Sequence, residues 1–273
     1  MSISAAMVKS LRDKTGAGMM DCKKALAENN GDEEKAIDWL RQKGLSKAAK
    51  KAGRATTEGL VGCVVEGKVA ALAEFKCETD FVARNEAFIA LSQKFAQDVA
   101  ANGAEGFTDR VANDVTDCIA TLGENMSAGR AARVALANDG VIGSYVHSNG
   151  KIGVLVAIEG SSDAELAKNI AMQVAATNPV SLDSSSIPAD LIAREREIHR
   201  QKTLEEGKPE NIVDKIVDGR MQKFFKEVTL LDQPYIRDDK MAVKDLLKGG
   251  AKVVEFVRFA LGEDAVAEEE EAE

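Results

Sequence analysis

A chain of 273 residues with 45% hydrophobic content can bury a sizeable core and suits one to three modules. Its formal net charge of −9 makes it a poor candidate for wrapping a phosphate backbone, so we expect a protein partner and no nucleic acid. No apolar run approaches the roughly 18 residues of a membrane span, and the N-terminus lacks a signal-peptide core. These features predict a cytoplasmic protein with no membrane contact.

The four cysteines and two histidines offer little metal or redox chemistry. The cysteines are far apart and form no CxxC pair, whereas structural zinc sites usually need four ligands at short paired spacings. We therefore expect reduced thiols, no metal and no cofactor. The sequence contains no P-loop, no GxGxxG pattern and no GxSxG elbow, so it does not indicate an enzyme.

The N-terminal part of the chain predicts a compact bundle of three short helices, near residues 4–15, 19–30 and 32–44. Asp32 is suited to cap the third helix, and Gly44 is expected to end it, because glycine often terminates helices. Three helices in so short a segment lie close to the lower size limit of independent stability.

The charge of the chain changes where this bundle ends. Residues 1–57 carry a net charge of +5, and the remainder carries −14. The stretch 43–54 contains lysines and an arginine without any acidic residue, and it is predicted to be an exposed linker. No aromatic residues alternate with these cations to stack bases, so nucleic-acid binding is not favoured.

From Gly59 onwards the apolar residues follow a strand-like period. Residues 60–65 and 69–75 predict a hairpin that turns at Glu66-Gly67. A helix is predicted over 85–100, where apolar residues recur at a spacing of three and four, and the stretch 111–136 also has a helical pattern.

The same sequence of elements then returns. Residues 141–147 and 152–158 predict a second hairpin, and a helix over 163–176 follows it. The segments 66–74, Glu-Gly-Lys-Val-Ala-Ala-Leu-Ala-Glu, and 149–157, Asn-Gly-Lys-Ile-Gly-Val-Leu-Val-Ala, show a short resemblance. An internal duplication of an α+β unit is the simplest interpretation.

Two long helices are predicted in the last third of the chain, over 188–206 and 209–226. The join Glu206-Gly207-Lys208-Pro209 is short, because glycine stops one helix and proline opens the next, so the two helices should form an antiparallel hairpin. This hairpin is a candidate coiled coil through which two copies could dimerise. A strand-and-helix section covers 228–259, and the acidic run 268–273 is expected to be disordered.

One segment between the first hairpin and the long helix that follows is a candidate binding site. Thr79 and Asp80 are natural caps for a short turn, and Asn85 can cap the longer helix, so Phe81 and Val82 would lie on a rigid elbow. Phe81 could belong to the core, or it could be a wedge that enters a partner. The second unit has no aromatic residue at the matching place, which favours the wedge without excluding the core.

Two long motifs resemble the elongation factor Ts family of bacterial type. They are residues 11–26, Leu-Arg-Asp-Lys-Thr-Gly-Ala-Gly-Met-Met-Asp-Cys-Lys-Lys-Ala-Leu, and residues 77–84, Cys-Glu-Thr-Asp-Phe-Val-Ala-Arg. Further similarity covers 143–147, 152–156 and 207–221. The resemblance therefore extends over nearly the whole chain, and its motifs are in the order that the family has.

The resemblance implies an α+β fold with a ubiquitin-associated-like helical module at 1–55. A duplicated core would follow, with units at 56–139 and 140–262 and an inserted helical hairpin at about 188–226. The family often ends in a further helix, and here this chain departs from it, because its composition predicts an acidic disordered tail at 263–273. The implied function is guanine-nucleotide exchange: the family binds GDP-bound elongation factor Tu, disturbs its Mg²⁺ and phosphate site, and promotes release of GDP so that GTP can bind.

The resemblance also assigns partner-binding roles to particular residues. The segment that enters beside the Mg²⁺ site of the partner corresponds to Thr79, Asp80, Phe81 and Val82. The remaining partner contacts correspond to Met19, Met20, Lys23 and His147. Of these, the first three would contact the nucleotide domain of the partner, and His147 would face another of its domains.

Two functions of other classes remain open from the residues alone. The N-terminal module could be an adaptor for a ubiquitin-like ligand. A thiol enzyme would need Cys77 as a nucleophile near His147, with a depressed pKa of the thiol.

Overall fold

The computed structural model describes residues 3–263 and has helices and strands throughout that range. The helices are α1 (Ala5–Thr15), α2 (Met19–Glu28), α3 (Glu33–Lys51), α4 (Asp80–Ala83), α5 (Glu86–Asn102), α6 (Phe107–Leu122), α7 (Ala164–Thr177), α8 (Ala189–Glu205) and α9 (Glu210–Val228). The strands are β1 (Glu58–Glu66), β2 (Val69–Cys77), β3 (Met126–Ala135), β4 (Gly140–Val146), β5 (Ile152–Glu159), β6 (Pro234–Tyr235), β7 (Asp238–Ala242) and β8 (Lys252–Ala260). The predicted α+β class is confirmed.

Two antiparallel sheets form the centre of the molecule, with strand orders β1-β2-β3 and β4-β5-β8. Helices α5 and α6 cover the outer face of the first sheet, and α7 covers the outer face of the second. The two inner faces share one apolar layer that includes Val61, Leu72 and Leu155. A Cβ atom at Gly153 would lie 2.5 Å from Val61 Cγ1, so the close approach of the sheets requires glycine there.

Both sheets are built from the same elements in the same order. A hairpin comes first, a long helix follows it, and a third strand joins the second strand of the hairpin after a further helical segment. The two predicted hairpins are therefore present, β1 with β2 and β4 with β5. The origin of this likeness in a duplication stays a prediction.

The prediction that the third helix ends at Gly44 is wrong. Helix α3 continues to Lys51, and so most of the predicted linker at 43–54 is helical. Gly44 is buried, and a Cβ atom there would lie 3.2 Å from the Cβ of Ala120 on α6. The glycine therefore permits α3 to pack closely on α6, which attaches the N-terminal helices to the first sheet.

The prediction of a helical stretch over 111–136 is also wrong in its second half. Helix α6 ends at Leu122, because Gly123 adopts a left-handed φ of 83° and donates its N–H to the carbonyl of Ile119. The chain then forms β3, which pairs with β2. Alanines in this segment favour a helix locally, but pairing with a buried strand decides the outcome.

Helices α8 and α9 form the predicted antiparallel hairpin. Arg196 pairs with Asp218 at 2.9 Å, and Arg200, one turn further along α8, pairs with Asp214, one turn earlier on α9. Val213, Val217 and Met221 are buried between the helices. The acidic tail predicted for 263–273 lies, apart from Glu263, outside the described residues.

Candidate functional site

The segment 79–85 forms a capped elbow between β2 and α5. Thr79 is the N-cap of α4, and its hydroxyl accepts the N–H of Val82 at 3.4 Å. Asn85 caps α5 by accepting the N–H of Ala87 at 2.9 Å. Of the candidate caps, Thr79 and Asn85 each cap the start of a helix, whereas Asp80 is the first residue of α4. A single turn of helix therefore lies between two capped helix starts.

Phe81 projects from this turn into solvent. Its side chain is 82% exposed, the highest value among large apolar residues in the part of the chain that the structure describes. Its neighbour Val82 is half-buried against the core, and Ala83 is buried. The alternative that Phe81 belongs to the core is therefore wrong. An isolated aromatic side chain on a rigid support is typical of an anchor that fills a pocket of a partner.

Asp80 and Arg84 form an ion pair on the exposed side of α4, with 2.9 Å between the Arg84 Nη2 and Asp80 Oδ2 atoms. The Arg84 side chain is largely exposed and that of Asp80 is about half exposed, so the pair contributes little to stability. Both remain accessible to a partner beside Phe81.

A loop that is distant in sequence supports the elbow from behind. The carboxylate of Glu124 accepts the N–H of Thr79 at 3.0 Å and its hydroxyl at 2.6 Å. The next residue, Asn125, donates its N–H to Glu78 at 2.5 Å. The Asn125 N–H, and then the nearby Arg54 guanidinium, lower the pKa of the Glu78 carboxyl below its usual value.

Cys77 is not suited to be a nucleophile. Its side chain is buried, its thiol donates to the carbonyl of Thr79 at 3.2 Å, and burial together with the negative Glu124 raises its pKa to about 12. The thiol is therefore protonated at neutral pH, whereas catalytic cysteines have a depressed pKa. His147, the proposed base, instead has its Nδ1 atom 3.0 Å from the hydroxyl of Tyr145. The thiol-enzyme alternative is not supported.

His147 lies in the turn between β4 and β5 and is exposed. It lines a cleft of about 820 Å³ that Asp80 and Arg84 also line. The structure thus brings the elbow and His147 to the same cleft although they belong to different sheets. The backbone N–H of Val61 donates to the carbonyl of Gly150 at 2.8 Å and joins β1 to this turn.

The predicted contacts on the N-terminal helices form a second patch. Met19 and Met20 begin α2 and are 48% and 75% exposed, and Lys23 is exposed beside them. The opposite face of α2, with Cys22 and other apolar residues, is buried against α1 and α3. None of the three exposed residues lines the cleft, so a partner that contacts both areas must be large.

Within residues 3–263, no helix is both long and apolar enough to cross a bilayer. No group of three or more His, Cys, Asp or Glu side chains in the same range is placed to hold a metal ion.

Comparison with known proteins agrees with these features. A family model described as Elongation factor TS matches residues 78–263, which include the elbow, the third strand of the first sheet and the whole second sheet. Elongation factor Ts of Nitratidesulfovibrio vulgaris is 59% identical over 286 aligned positions, with 98% of this chain and 99% of the relative covered. Elongation factor Ts of Lawsonia intracellularis is 52% identical, with 97% and 100% covered. That of Bartonella henselae is 45% identical, with 98% and 96% covered.

The fold, the exposed elbow and these relatives together define a translation elongation factor. More particularly, the chain belongs to the elongation factor Ts family.

Proposed function

We propose that this chain is a guanine-nucleotide exchange factor for elongation factor Tu. It binds the GDP-bound partner, disturbs the Mg²⁺ and phosphate site, and promotes release of GDP so that GTP can bind, without covalent catalysis. The observation that carries the proposal is the side chain of Phe81, which is 82% exposed on a turn that Thr79 caps and that leads directly into the capped start of α5. The relatives of this chain in Nitratidesulfovibrio vulgaris and Lawsonia intracellularis are elongation factors Ts, which supports the proposal.

The energy that exchange requires limits what Phe81 can do alone. Exchange is reciprocal: the factor weakens nucleotide binding as much as nucleotide weakens binding of the factor. About a thousandfold effect corresponds to about 4 kcal/mol, whereas burial of one phenylalanine contributes roughly 1.5–3 kcal/mol. Displacement of the partner's Mg²⁺ from its ligands would weaken nucleotide binding further, because that ion is the largest local charge in a nucleotide site. Thr79, Asp80 and Val82 hold Phe81 at this point of contact.

The remaining affinity comes from contacts outside the elbow. Met19, Met20 and Lys23 bind the nucleotide domain of the partner, and His147 faces another of its domains. The mostly apolar character of the exposed methionines fits a protein surface, because methionine adapts its shape to a partner. The two patches make the interface broad enough to position Phe81.

The proposal includes a domain layout. Residues 1–55 form a ubiquitin-associated-like module, and 56–139 and 140–262 form two units of a duplicated core, which the matching order of elements supports. The hairpin of α8 and α9 is a short coiled coil. Its exposed Ile198 and Ile212 offer a surface for a second copy, and this dimerisation stays a prediction. The factor acts in the cytoplasm and binds no nucleic acid. An adaptor role of the first module is not favoured.

Release of a fluorescent GDP analogue tests the proposal. Elongation factor Tu loaded with the analogue is mixed in a stopped-flow instrument with excess unlabelled GDP, with and without this chain. We expect the release rate to rise with the concentration of the chain and then to saturate. A serum albumin control at the same concentration should have no effect. If the chain leaves the release rate unchanged, the proposed function is wrong.

A further inference from the structure

The loop 123–125, between α6 and β3, contacts the elbow through side chains and backbone. Both carboxylate oxygens of Glu124 are used: Oε2 accepts the N–H of Thr79, and Oε1 accepts its hydroxyl. Hydrogen bonds to an ionised acceptor are shorter and stronger than those between neutral groups. Glu124 therefore holds the N-cap residue of the turn that carries Phe81 at two points.

The hydrogen bond from the Thr79 hydroxyl to Glu124 also affects how Thr79 caps α4. While the hydroxyl of Thr79 donates to Glu124, it accepts the N–H of Val82. Since a hydroxyl has only one hydrogen, donation to Glu124 leaves its lone pairs directed at the helix N-terminus. The carboxylate thus selects the rotamer of Thr79 in which α4 is capped.

The same loop is fixed to the end of the N-terminal helices. Lys51, the last residue of α3, donates its ammonium to the carbonyl of Gly123. The side-chain amide of Asn125 donates to the carbonyl of Arg54 at 2.7 Å, and the Arg54 guanidinium pairs with Glu78 at 3.3 Å. The loop is therefore held by α3 on one side and holds the elbow on the other.

Phe81 has little packing of its own to keep it in place. Since its side chain is 82% exposed, its direction depends on the backbone of α4, a helix of one turn that is unstable alone. We infer that Glu124 is a positioning residue, which keeps the Phe81 turn ordered before a partner binds. The expected effect of Glu124 on exchange rests on the proposed function. Its effect on the ordering of Phe81 in the free protein does not.

Two measurements on Glu124→Ala test the inference. The first is fluorine NMR of the free protein with para-fluorophenylalanine in place of Phe81 alone. We expect the signal to broaden or shift in the variant, because the turn becomes mobile. The second is release of fluorescent GDP from elongation factor Tu at saturating factor. The saturated rate should fall about tenfold, the fold-change expected from loss of one well-formed contact, while the concentration for half-saturation changes less.

Three control variants separate positioning from general structure. Glu124→Gln can still meet both atoms of Thr79, since its oxygen accepts the N–H and its amide donates to the hydroxyl oxygen, so it should lie closer to the wild type than Glu124→Ala. Glu124→Asp keeps the charge but is shorter, and it should be impaired more than Glu124→Gln. Asp114→Ala removes an acid of α6 that pairs with Lys94 and should change neither readout.

The outcomes are separable. An unchanged fluorine signal in Glu124→Ala would overturn the inference whatever the exchange rate, and so would an altered signal with an unchanged rate. If the wild-type chain does not accelerate release, the proposed function fails, but the fluorine spectra still decide whether Glu124 orders Phe81. If Glu124→Ala does not fold, the fluorine signals and release rates of Glu124→Gln and Glu124→Asp decide. Glu124→Asp equal to or closer to the wild type than Glu124→Gln in these readouts would contradict the account.

Discussion

Phe81 and Phe88, on consecutive helices, have opposite environments. Phe88 is fully buried and stacks on Phe75 with 4.0 Å between ring centroids, whereas Phe81 is almost wholly in solvent. Burial of an aromatic side chain is a main source of stability, and exposure of one on a surface is not. The Phe88 ring therefore serves the fold, and the Phe81 ring is available for binding.

Substitution of the two rings should separate these roles. Phe81→Ala should leave the free energy of unfolding within about 0.5 kcal/mol of the wild type, as is usual for surface positions. Phe88→Ala should lower it by about 3–5 kcal/mol, because it removes a buried ring and leaves a cavity. Urea denaturation followed by circular dichroism measures both. Equal destabilisation by the two variants would show that Phe81 is packed in solution.

The sequence carried enough information to predict the elbow but not its support. Thr79 and Asn85 are capping residues at the right spacing, so the elbow follows from residues that are close in the chain. The second hairpin is followed by no phenylalanine at the equivalent place, which favoured a binding role for Phe81. Glu124 is far from Thr79 in sequence, and nothing in its neighbourhood marks it as a partner of the elbow. Its contact depends on how α6 and β3 pack around β2, which a single sequence does not show.

At the scale of elements, two glycines within helices differ in their reason for being there. A Cβ atom at Gly44 in α3 would lie 3.2 Å from the Cβ of Ala120, whereas nothing lies within 4 Å of a Cβ at Gly219 in α9. Gly44 is therefore a packing residue, and Gly219 only weakens its helix.

Leucine at each position should have opposite effects on stability. Gly219→Leu should stabilise the protein by up to about 0.8 kcal/mol through helix propensity. Gly44→Leu should destabilise it by roughly 1–3 kcal/mol, because the side chain enters the contact between α3 and α6. Thermal and urea unfolding of the two variants check this. A stabilising Gly44→Leu would indicate that α3 and α6 are separated in solution.

The ion pairs of Asp21 should make the packing of α2 on α3 sensitive to acid. Side-chain hydrogen bonds from Lys43, at 2.6 Å, and from Lys47, at 2.7 Å, lower the pKa of Asp21 below its ordinary value of 3.8. A depressed folded-state pKa stabilises the fold above the unfolded value, and this contribution disappears as the pH falls through the folded value.

The stability difference between the wild type and Asp21→Asn should therefore be constant near neutral pH and shrink below pH 3.8. Denaturant titrations at a series of pH values measure it. A difference that grows towards acid would mean that burial, rather than the lysines, dominates this carboxyl.

The C-terminal part of α3 and strand β3 were predicted wrongly for similar physical reasons. The glycine at 44 has the local signature of a helix end, and the alanine-rich stretch 126–135 has the local signature of a helix. In each case a partner distant in sequence decides, α6 for the first and β2 for the second. The hairpin of α8 and α9, whose contacts are mostly between near neighbours in sequence, was predicted within a few residues.

At the scale of the molecule, Arg130 joins the two sheets. Its guanidinium donates to Glu74 at 2.6 Å and to the carbonyl of Ala260 on β8 at 2.9 Å, and it lies 4.7 Å from the ring centroid of Phe259. Glu74 is fully buried at a β-bulge of β2. The network links both sheets at a point where a charge is otherwise costly.

Removal of this guanidinium should destabilise the whole core. Arg130→Met should lower the free energy of unfolding by about 3–5 kcal/mol, because it removes the guanidinium that pairs with the buried Glu74 carboxylate at 2.6 Å. Arg196→Met, which breaks an exposed pair in the α8–α9 hairpin, should cost less than about 1 kcal/mol. Chemical denaturation compares the two variants, and similar small losses would contradict the role of Arg130 in neutralising the buried Glu74.

The central claim, that Phe81 drives exchange rather than merely binding, is tested most directly by Phe81→Ala in the GDP-release assay. Val65→Ala, an exposed apolar residue at the far end of the first hairpin, is the matched control. We expect Phe81→Ala to keep most of its affinity for elongation factor Tu, because the other patches are intact, but to lose about tenfold or more of the saturated release rate. The Val65→Ala control should match the wild type. An undiminished rate with Phe81→Ala would contradict the account.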